Sequence, residues 1–271
     1  MQASDELSNG FEYIIYSRNP EKKSATITLN RPEVMNALNL QIRKEILTVL
    51  DLVENDDSVR VLVLTGAGEK AFSAGADVNM FQTMTPFTAR EYLKISKGTS
   101  NRIENFAKPV IAAINGHAIG GGLELAMSCD VMVASSNAKF GQTEINVGLI
   151  PGVGGTQRLS RLIGIQRAKE LIFTGDLIDA AEAQRLGIVN HVFPTREEMM
   201  SFVDALAEKI SLKSPLILRL AKEAVNRSAA GLKDGLDHES TLFELCFATN
   251  DQKEGARAFL ENRRKPKFIG Y

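Results

Sequence analysis

The feature that most constrains this chain is an alternation of short β-branched segments with helical patterns over its first two thirds. Runs rich in Val and Ile, each of strand length, occupy residues 13–16, 25–29, 61–64, 110–114, 131–134 and 189–193. Asn39 is placed to cap a helix after the second run, because the apolar residues that follow repeat on one helical face. That face carries Ile42, Ile46, Val49, Leu50 and Val53. Strand–helix–strand alternation predicts an α/β layer architecture with crossover connections.

The pattern changes after about Thr195. Four helical segments follow, at residues 197–210, 215–228, 232–248 and 252–262, with no strand between them. Pro215, directly after Ser214, suits the first position of one of these helices. We therefore expect a β-rich core over residues 1–195 and a helical region over residues 196–271.

Composition narrows the partners that the chain can have. Of its 271 residues, 44% are hydrophobic and 24% are charged, as in an ordinary globular protein. A net charge of −1 provides no basic surface for nucleic acid. The longest apolar stretch, residues 110–127, is broken by polar residues and four glycines, so it does not resemble a membrane span. We expect neither a nucleic-acid partner nor a membrane partner.

The two cysteines and the two ends of the chain indicate the cellular compartment of the protein. Cys129 and Cys246 lie in apolar surroundings and do not make a disulfide framework, so we expect buried reduced thiols. The first ten residues, MQASDELSNG, contain neither the apolar run of a signal peptide nor an Arg-rich amphipathic start. The final KPKFIGY matches neither a peroxisomal nor an ER-retention signal. By elimination, we expect a cytoplasmic protein.

Three consecutive glycines, Gly120 to Gly122, join an apolar strand to a predicted helix. Free backbone N–H groups and the helix dipole there point at one spot, which suits a developing negative charge. The spacing matches neither G-x-x-x-x-G-K-[ST] nor G-x-G-x-x-G, so phosphate binding is not favoured. Another stretch of small residues, 73–78, follows the strand at 61–64 and on its own predicts only a tight loop.

Two carboxylates accompany these segments. Glu124 has apolar neighbours on both sides, so it lies either on one exposed stripe of the helix or buried in a cleft. A cleft would raise its pKa toward the range useful for acid–base chemistry. Glu144 lies in a Gly/Pro-rich loop over residues 140–156 that leads into a helix at Thr156. An acid–base pair is the functional interpretation, and sequence spacing alone leaves the proximity of the two open.

Metal and nucleophile chemistry find little support in the sequence. His117, His191 and His238 lack metal-ligand spacing with one another or with either cysteine, so no metal site is predicted. His117 is interpreted as a strand-end or pocket-wall residue. The nucleophile elbow G-x-S-x-G does not occur.

Several motifs in a fixed order resemble those of the enoyl-CoA hydratase (crotonase) family over nearly the whole chain. They are NRP (30–32), NAL (36–38), AFSAGAD (71–77), KPVIAAING (108–116), GGGLELAM (120–127), FGQ (140–142) with Glu144, IPG (150–152), GGTQRL (154–159) and TG (174–175). The resemblance implies an α/β fold, a crotonase (ClpP-like) spiral of repeated ββα units. It also implies C-terminal helices that trimerise and cover the active site, with trimers commonly paired into hexamers.

The resemblance also implies roles for individual residues. The backbone N–H groups of Ala76 and Gly121 would form the oxyanion hole for a thioester carbonyl, and the Gly152 amide would orient a water molecule. The CoA and pantetheine path would run along Ala37, Asp77 and Val78. Asn79 stands where members carry a lysine, so the basic residues near the C-terminus are candidates to hold CoA phosphates instead. These are Arg263, Arg264, Lys265 and Lys267.

Because Glu124 and Glu144 are both present, the resemblance favours hydration of 2-enoyl-CoA to 3-hydroxyacyl-CoA or the reverse dehydration. A 3,2-enoyl-CoA isomerase and a non-catalytic crotonase-like binding protein are the alternatives. No metal or redox cofactor is expected, and CoA enters as part of the substrate. Residues 80–89 are expected to cover the acyl end. Short substrates, such as crotonyl-CoA, 3-hydroxybutyryl-CoA or 3-hydroxypropionyl-CoA, are favoured.

Overall fold

Ten strands form two sheets in the computed structural model, which describes residues 10–263 and 265–270. The strands are β1 (Ile14–Asn19), β2 (Ser24–Leu29), β3 (Val61–Gly66), β4 (Ala71–Ser73), β5 (Val110–Ile114), β6 (His117–Ile119), β7 (Val131–Ser135), β8 (Lys139–Gly141), β9 (Ile178–Asp179) and β10 (His191–Phe193). The larger sheet has the order β1-β2-β3-β5-β7-β10 and is parallel except for the β1–β2 pair. The smaller has the order β4-β6-β8-β9.

Ten helices complete the described fold: α1 (Leu40–Glu54), α2 (Pro86–Glu104), α3 (Gly121–Ala126), α4 (Gly155–Ile163), α5 (Ile165–Thr174), α6 (Ala180–Leu186), α7 (Arg196–Ser211), α8 (Pro215–Arg227), α9 (Leu232–Cys246) and α10 (Asn250–Leu260). Each of β3, β5 and β7 continues into a short strand of the smaller sheet and then into a helix. These three successive ββα units confirm the predicted spiral, and the four predicted C-terminal helices are confirmed as α7 to α10.

The hydrophobic core is divided between the two faces of the larger sheet. Successive side chains of each parallel strand point to opposite faces, so β3, β5 and β7 contribute to both parts of the core. On one face, β3, β5 and β7 pack against Met199, Val203 and Ala207 of α7. On the other face, Leu62, Leu64 and Ile114 join the main core, which includes α1. The predicted α1 is confirmed: the Asn39 side chain accepts the Ile42 N–H at 2.9 Å. Its apolar face is buried as predicted.

The short strands of the smaller sheet and helix α2 were not predicted from the sequence. β4, β6 and β8 have three residues each, and none contains a run of β-branched residues. Among the described residues, no helix combines the length and apolarity needed to cross a membrane. Cys129 and Cys246 are half-buried free thiols. The targeting prediction for residues 1–9 and the Arg264 part of the basic cluster fall outside the described residues.

Candidate active site

A cavity of about 970 Å³ opens where the ββα units meet. Its walls come from the loop after β4, the helix α2, the start of α3 and the loop between β8 and α4. Ala76, Gly121, Glu124, Glu144 and Gly152 all line it. Five predicted site residues from four different motifs therefore face one space, although the sequence left the proximity of Glu124 and Glu144 open.

The two backbone segments predicted to bind a thioester oxygen lie against each other in this wall. The Leu38 N–H donates to the Gly75 carbonyl at 2.7 Å, which fixes the loop that carries Ala76. A Cβ built on Gly121 would lie 3.3 Å from the Ala76 nitrogen. Gly121 is the first residue of α3, so its N–H has no partner within the helix. Two amides from different motifs thus stand side by side at the cavity.

Glu124 is buried and held by the opposite loop, so the cleft interpretation of this residue is the correct one. Its side chain is 2% exposed, and its Oε1 accepts the N–H groups of Val153 and Gly155, both at 2.7 Å. Burial raises the pKa of the Glu124 carboxyl, and the two amide bonds and nearby arginines lower it without cancelling that rise. Because Oε1 already accepts two hydrogen bonds, Oε2 is the oxygen that remains available to a further hydrogen-bond partner.

Glu144 begins a 3₁₀ turn, Glu144–Val147, on the other side of the cavity. Burial, together with the negative charge of Glu124, raises the pKa of the Glu144 carboxyl to about 7. With its amide nitrogen oriented toward Glu144, the buried Gln142 donates to both carboxylate oxygens at 3.2 and 3.3 Å. A Cβ on Gly120 would lie 3.0 Å from Glu144 Oε1, so the glycine turn and this carboxylate are in direct contact.

The pair can therefore share one proton near neutral pH. Burial raises the pKa of both carboxyls, to about 7 for Glu144, and only Glu124 has two amide donors that favour its charged form. Two carboxylates with different environments supply a base and an acid at the same time, and the two titrate as a coupled unit.

The residues predicted along the CoA path divide into two groups. Val78 lines the cavity and is 55% exposed. Ala37 and Asp77 stand outside the cavity wall, where Arg31 Nη1 binds the Ala37 carbonyl at 2.9 Å and the Asp77 carboxylate at 3.4 Å. The Asn79 amide donates to Asp77 Oδ1 at 3.0 Å. Arg31 thus links Ala37 to Asp77, and the role of these two residues along a CoA path stays a prediction.

The basic cluster near the C-terminus is partly neutralised. Arg263 forms ion pairs with Glu254 and Glu261 at 2.9 and 2.7 Å. The Lys267 backbone N–H binds the same Glu254 at 3.0 Å. A role of this cluster toward CoA phosphates stays a prediction. In the described part of the chain, no group of three or more His, Cys, Asp or Glu residues is arranged to hold a metal ion.

The sequence did not predict that the backbone amides of Val153 and Gly155 bind Glu124, because residue type does not encode the direction of a backbone N–H. The structure explains why position 155 is a glycine, since a Cβ there would collide with Gln142 and Pro151. The wall from α2, which includes Tyr92 and Leu93, was also missed. Thr85 before Pro86 was its available signal, since the Thr85 side chain caps α2.

Comparisons with known proteins agree with this geometry. The family model described as enoyl-CoA hydratase/isomerase matches residues 21–270. A short-chain-enoyl-CoA hydratase of Clostridium acetobutylicum is 46% identical over 245 residues, which cover 90% of this chain and 94% of the relative. A crotonyl-CoA hydratase of Syntrophomonas wolfei is 46% identical over 263 residues, which cover 96% of this chain and 98% of the relative. The crystal structure of an enoyl-CoA hydratase from Bacillus anthracis has a TM-score of 0.90 at 40% identity and covers 96% of this chain and 100% of its own. The chain belongs to the enoyl-CoA hydratase/isomerase family.

Proposed function

We propose that this protein catalyses the reversible syn hydration of short-chain 2-enoyl-CoA thioesters to 3-hydroxyacyl-CoA. The observation that carries the proposal is the pair of carboxylates in one cavity. Glu124 is buried and bound by two amides, and burial with a neighbouring charge raises the pKa of Glu144 to about 7. A water molecule between them would find a base and a proton donor on the same side of the substrate, which gives syn addition.

The oxygen of the thioester accepts the N–H groups of Ala76 and Gly121 in this mechanism. These donors stabilise the negative charge that develops as the C2–C3 double bond opens, and one such donor is typically worth about 3–4 kcal/mol. Glu124 removes a proton from water as the water oxygen bonds to C3. Glu144 gives its proton to C2. Dehydration reverses each step, and the Gly152 amide orients the water.

Two observations support short acyl chains as substrates. Relatives that share 46% of their residues with this chain are a short-chain-enoyl-CoA hydratase and a crotonyl-CoA hydratase. The cavity wall contributed by the segment after Val78 and by α2 contains four large, mainly apolar side chains, Phe81, Met84, Tyr92 and Leu93. Crotonyl-CoA, 3-hydroxybutyryl-CoA and 3-hydroxypropionyl-CoA are the proposed substrates, without a metal or redox cofactor.

We further propose a homotrimer or a pair of trimers. The C-terminal helices carry large apolar side chains that are exposed in the single chain, among them Phe243 at 64% and Phe259 at 82%. Exposed apolar surface of this kind supports association. Sedimentation of the purified protein tests the proposal, since a monomer would contradict it. Cytoplasmic location stays a prediction.

The decisive assay follows crotonyl-CoA through loss of the ultraviolet absorbance of its conjugated thioester and identifies the product by mass. We expect 3-hydroxybutyryl-CoA from the wild type, and a kcat at least about 100-fold lower in both Glu124→Gln and Glu144→Gln. Conversion of a 3-enoyl-CoA with crotonyl-CoA left unhydrated would instead identify an isomerase. Near-wild-type turnover of crotonyl-CoA in either variant would contradict the proposal.

A further inference from the structure

Arg43 is a completely buried cation without an ion-pair partner in the described part of the chain. It lies on α1, and its side chain is 0% exposed. Its Nε and Nη2 atoms have no hydrogen-bond partner among residues 10–263 and 265–270, and Nη1 reaches only the Ser96 carbonyl at 3.5 Å. An arginine does not lose its proton to avoid such a site, so a positive charge remains in the protein interior.

The side chains of α1 and α2 around Arg43 do not form an ion pair with it. Glu45, the buried acid of α1, is engaged elsewhere, because it accepts the N–H groups of Glu12 and Tyr13, both at 3.0 Å. The buried face of α2 opposite α1 presents hydroxyl groups, and those of Ser96 and Ser100 also have no partner among the described residues. Burial of an unpaired charge opposes folding, so its presence here indicates a use other than stability.

Arg43 lies close to the two amides of the predicted oxyanion hole. A Cβ built on Gly121 would lie 3.7 Å from Arg43 Nη2 and 3.3 Å from the Ala76 nitrogen. Because Arg43 has no exposed surface, it acts on the cavity through its field rather than by touching a substrate. Charges are screened weakly in a buried, low-dielectric region, so this one reaches the space beside Gly121.

Three charged groups act on Glu124 from the elements around it. Glu144 faces it from the opposite loop, Arg158 from α4 and Arg43 from α1. Arg158 forms an ion pair with Glu104, so its charge has a carboxylate partner. Arg43 is the cation in this group without such a partner among the described residues.

We propose that Arg43 is a positioning residue for the hydration reaction, which supplies a fixed positive potential to the oxyanion hole and to Glu124. This potential stabilises the negative charge that develops on the thioester oxygen, and it keeps Glu124 ionised and able to accept a proton from water. The proposal rests on the proposed hydratase function. It assigns to α1 a part in the reaction that its hydrophobic pattern does not reveal.

The test compares three variants of the full chain. Arg43→Met removes the charge at similar volume, and Arg43→Lys retains a positive charge. Lys44→Met is the matched control, since it removes the same charge from the exposed neighbouring position. With crotonyl-CoA, we expect Arg43→Met to lower kcat about 10-fold with KM within about 3-fold, a smaller effect than loss of a direct oxyanion donor. Arg43→Lys should recover most of the loss, and Lys44→Met should match the wild type.

Two further readouts separate an electrostatic role from a structural one. The acidic limb of the kcat/KM profile should move to higher pH in Arg43→Met, because loss of a cation raises the pKa of Glu124. The thermal midpoint of Arg43→Met should equal or exceed that of the wild type, because an unpaired buried charge has been removed. If Arg43→Met does not fold, Arg43→Gln replaces it with the same expectations.

Binding of acetoacetyl-CoA gives a readout that does not depend on turnover. This 3-oxoacyl thioester forms an enolate with its own ultraviolet band, and the bound enolate fraction can be titrated against pH. We expect the enolate to form at higher pH on Arg43→Met than on the wild type or Lys44→Met. An unchanged enolate titration, or a slower Arg43→Met with an unmoved pH profile and a lower thermal midpoint, would overturn the proposal. A wild type that leaves crotonyl-CoA unchanged would overturn the hydratase function, while the enolate titration would still test Arg43.

Discussion

The two carboxylates of the cavity are held by very different segments. Glu124 lies in α3 between Leu123 and Leu125, which are 1% and 0% exposed, and two amides bind it. Glu144 starts a segment that is largely exposed in the single chain, with Val147 at 58% and Ile150 at 71% exposed, and both of these residues line the cavity. Burial raises the pKa of both carboxyls, but only Glu124, on the rigid segment, has two amide donors that favour its charged form. This division assigns the base to the first and the proton donor to the second.

Gly120→Ala tests the contact between the two segments. Gly120 has φ of +51°, and a Cβ there would lie 3.0 Å from Glu144 Oε1. We expect Glu144 to shift by a few tenths of an ångström and kcat to fall about 10-fold, less than the roughly 100-fold loss that a misplacement of about 1 Å can produce. The measurement is crotonyl-CoA hydration at saturating substrate.

Gly148→Ala is the matched control for this variant. Gly148 has φ of +74°, and a Cβ there would meet nothing within 4 Å. The backbone penalty of about 1–2 kcal/mol should lower stability in both variants. The fall in kcat should be specific to Gly120→Ala, and an equal fall in both would argue against a contact between the glycine turn and Glu144.

Gly122→Ala tests the rigidity of the α3 segment. A Cβ on Gly122 would overlap the Ser73 carbonyl oxygen, which belongs to the backbone of β4 and has little freedom to move. We expect a loss of about 1–3 kcal/mol in the free energy of unfolding, measured by urea denaturation. Gly98→Ala in α2, where a Cβ meets nothing within 4 Å, should instead gain up to about 1 kcal/mol. Similar losses in both would contradict a tightly packed α3.

The pH dependence of kcat/KM tests whether Glu144 carries the proton of the Glu124–Glu144 pair in the active enzyme. Above pH 7, Glu144 loses the proton that C2 requires, so hydration should fall about 10-fold per pH unit well beyond its pKa of about 7. Dehydration should follow the same profile, because addition of water changes no net proton count. An isomerase that uses one ionised carboxylate would instead speed up through pH 7 and reach a plateau, and that result would contradict the proposed division of roles.

The stability of the folded protein should also depend on the protonation of Glu144. The folded pKa of Glu144, about 7, lies above its unfolded value, so the folded state binds more protons between about pH 4.5 and pH 7. The contribution of Glu144 is therefore present at low pH and is lost as pH rises through 7. We expect Glu144→Gln to raise the thermal midpoint more at pH 8 than at pH 5. An equal change at both pH values would contradict the raised pKa.

The larger sheet was predictable from sequence because β3, β5 and β7 are runs of mostly buried residues in which apolar side chains predominate. The smaller sheet was not, since its three-residue strands lack such runs. Helix α2 escaped prediction for a different reason: its buried positions include Ser96, Thr99 and Ser100, so its apolar periodicity is weak.

The candidate site followed mainly from motifs rather than from spacing. Glu124 and Glu144 were each recognisable, but their meeting across the cavity is a tertiary property. The amides that bind Glu124 and the charge of Arg43 depend on which backbone and side-chain atoms face inward. Neither is expressed in the residue types alone.

The division of roles between Glu124 and Glu144 is tested most directly by hydrogen exchange at C2 of butyryl-CoA in D₂O. This substrate has no hydroxyl group to lose, so exchange needs the group that serves C2 and not the one that serves water. We expect Glu144→Gln to abolish deuterium incorporation, measured by mass spectrometry, and Glu124→Gln to retain it within about 10-fold while losing crotonyl-CoA hydration. Wild-type exchange in Glu144→Gln, or loss of exchange only in Glu124→Gln, would contradict the account.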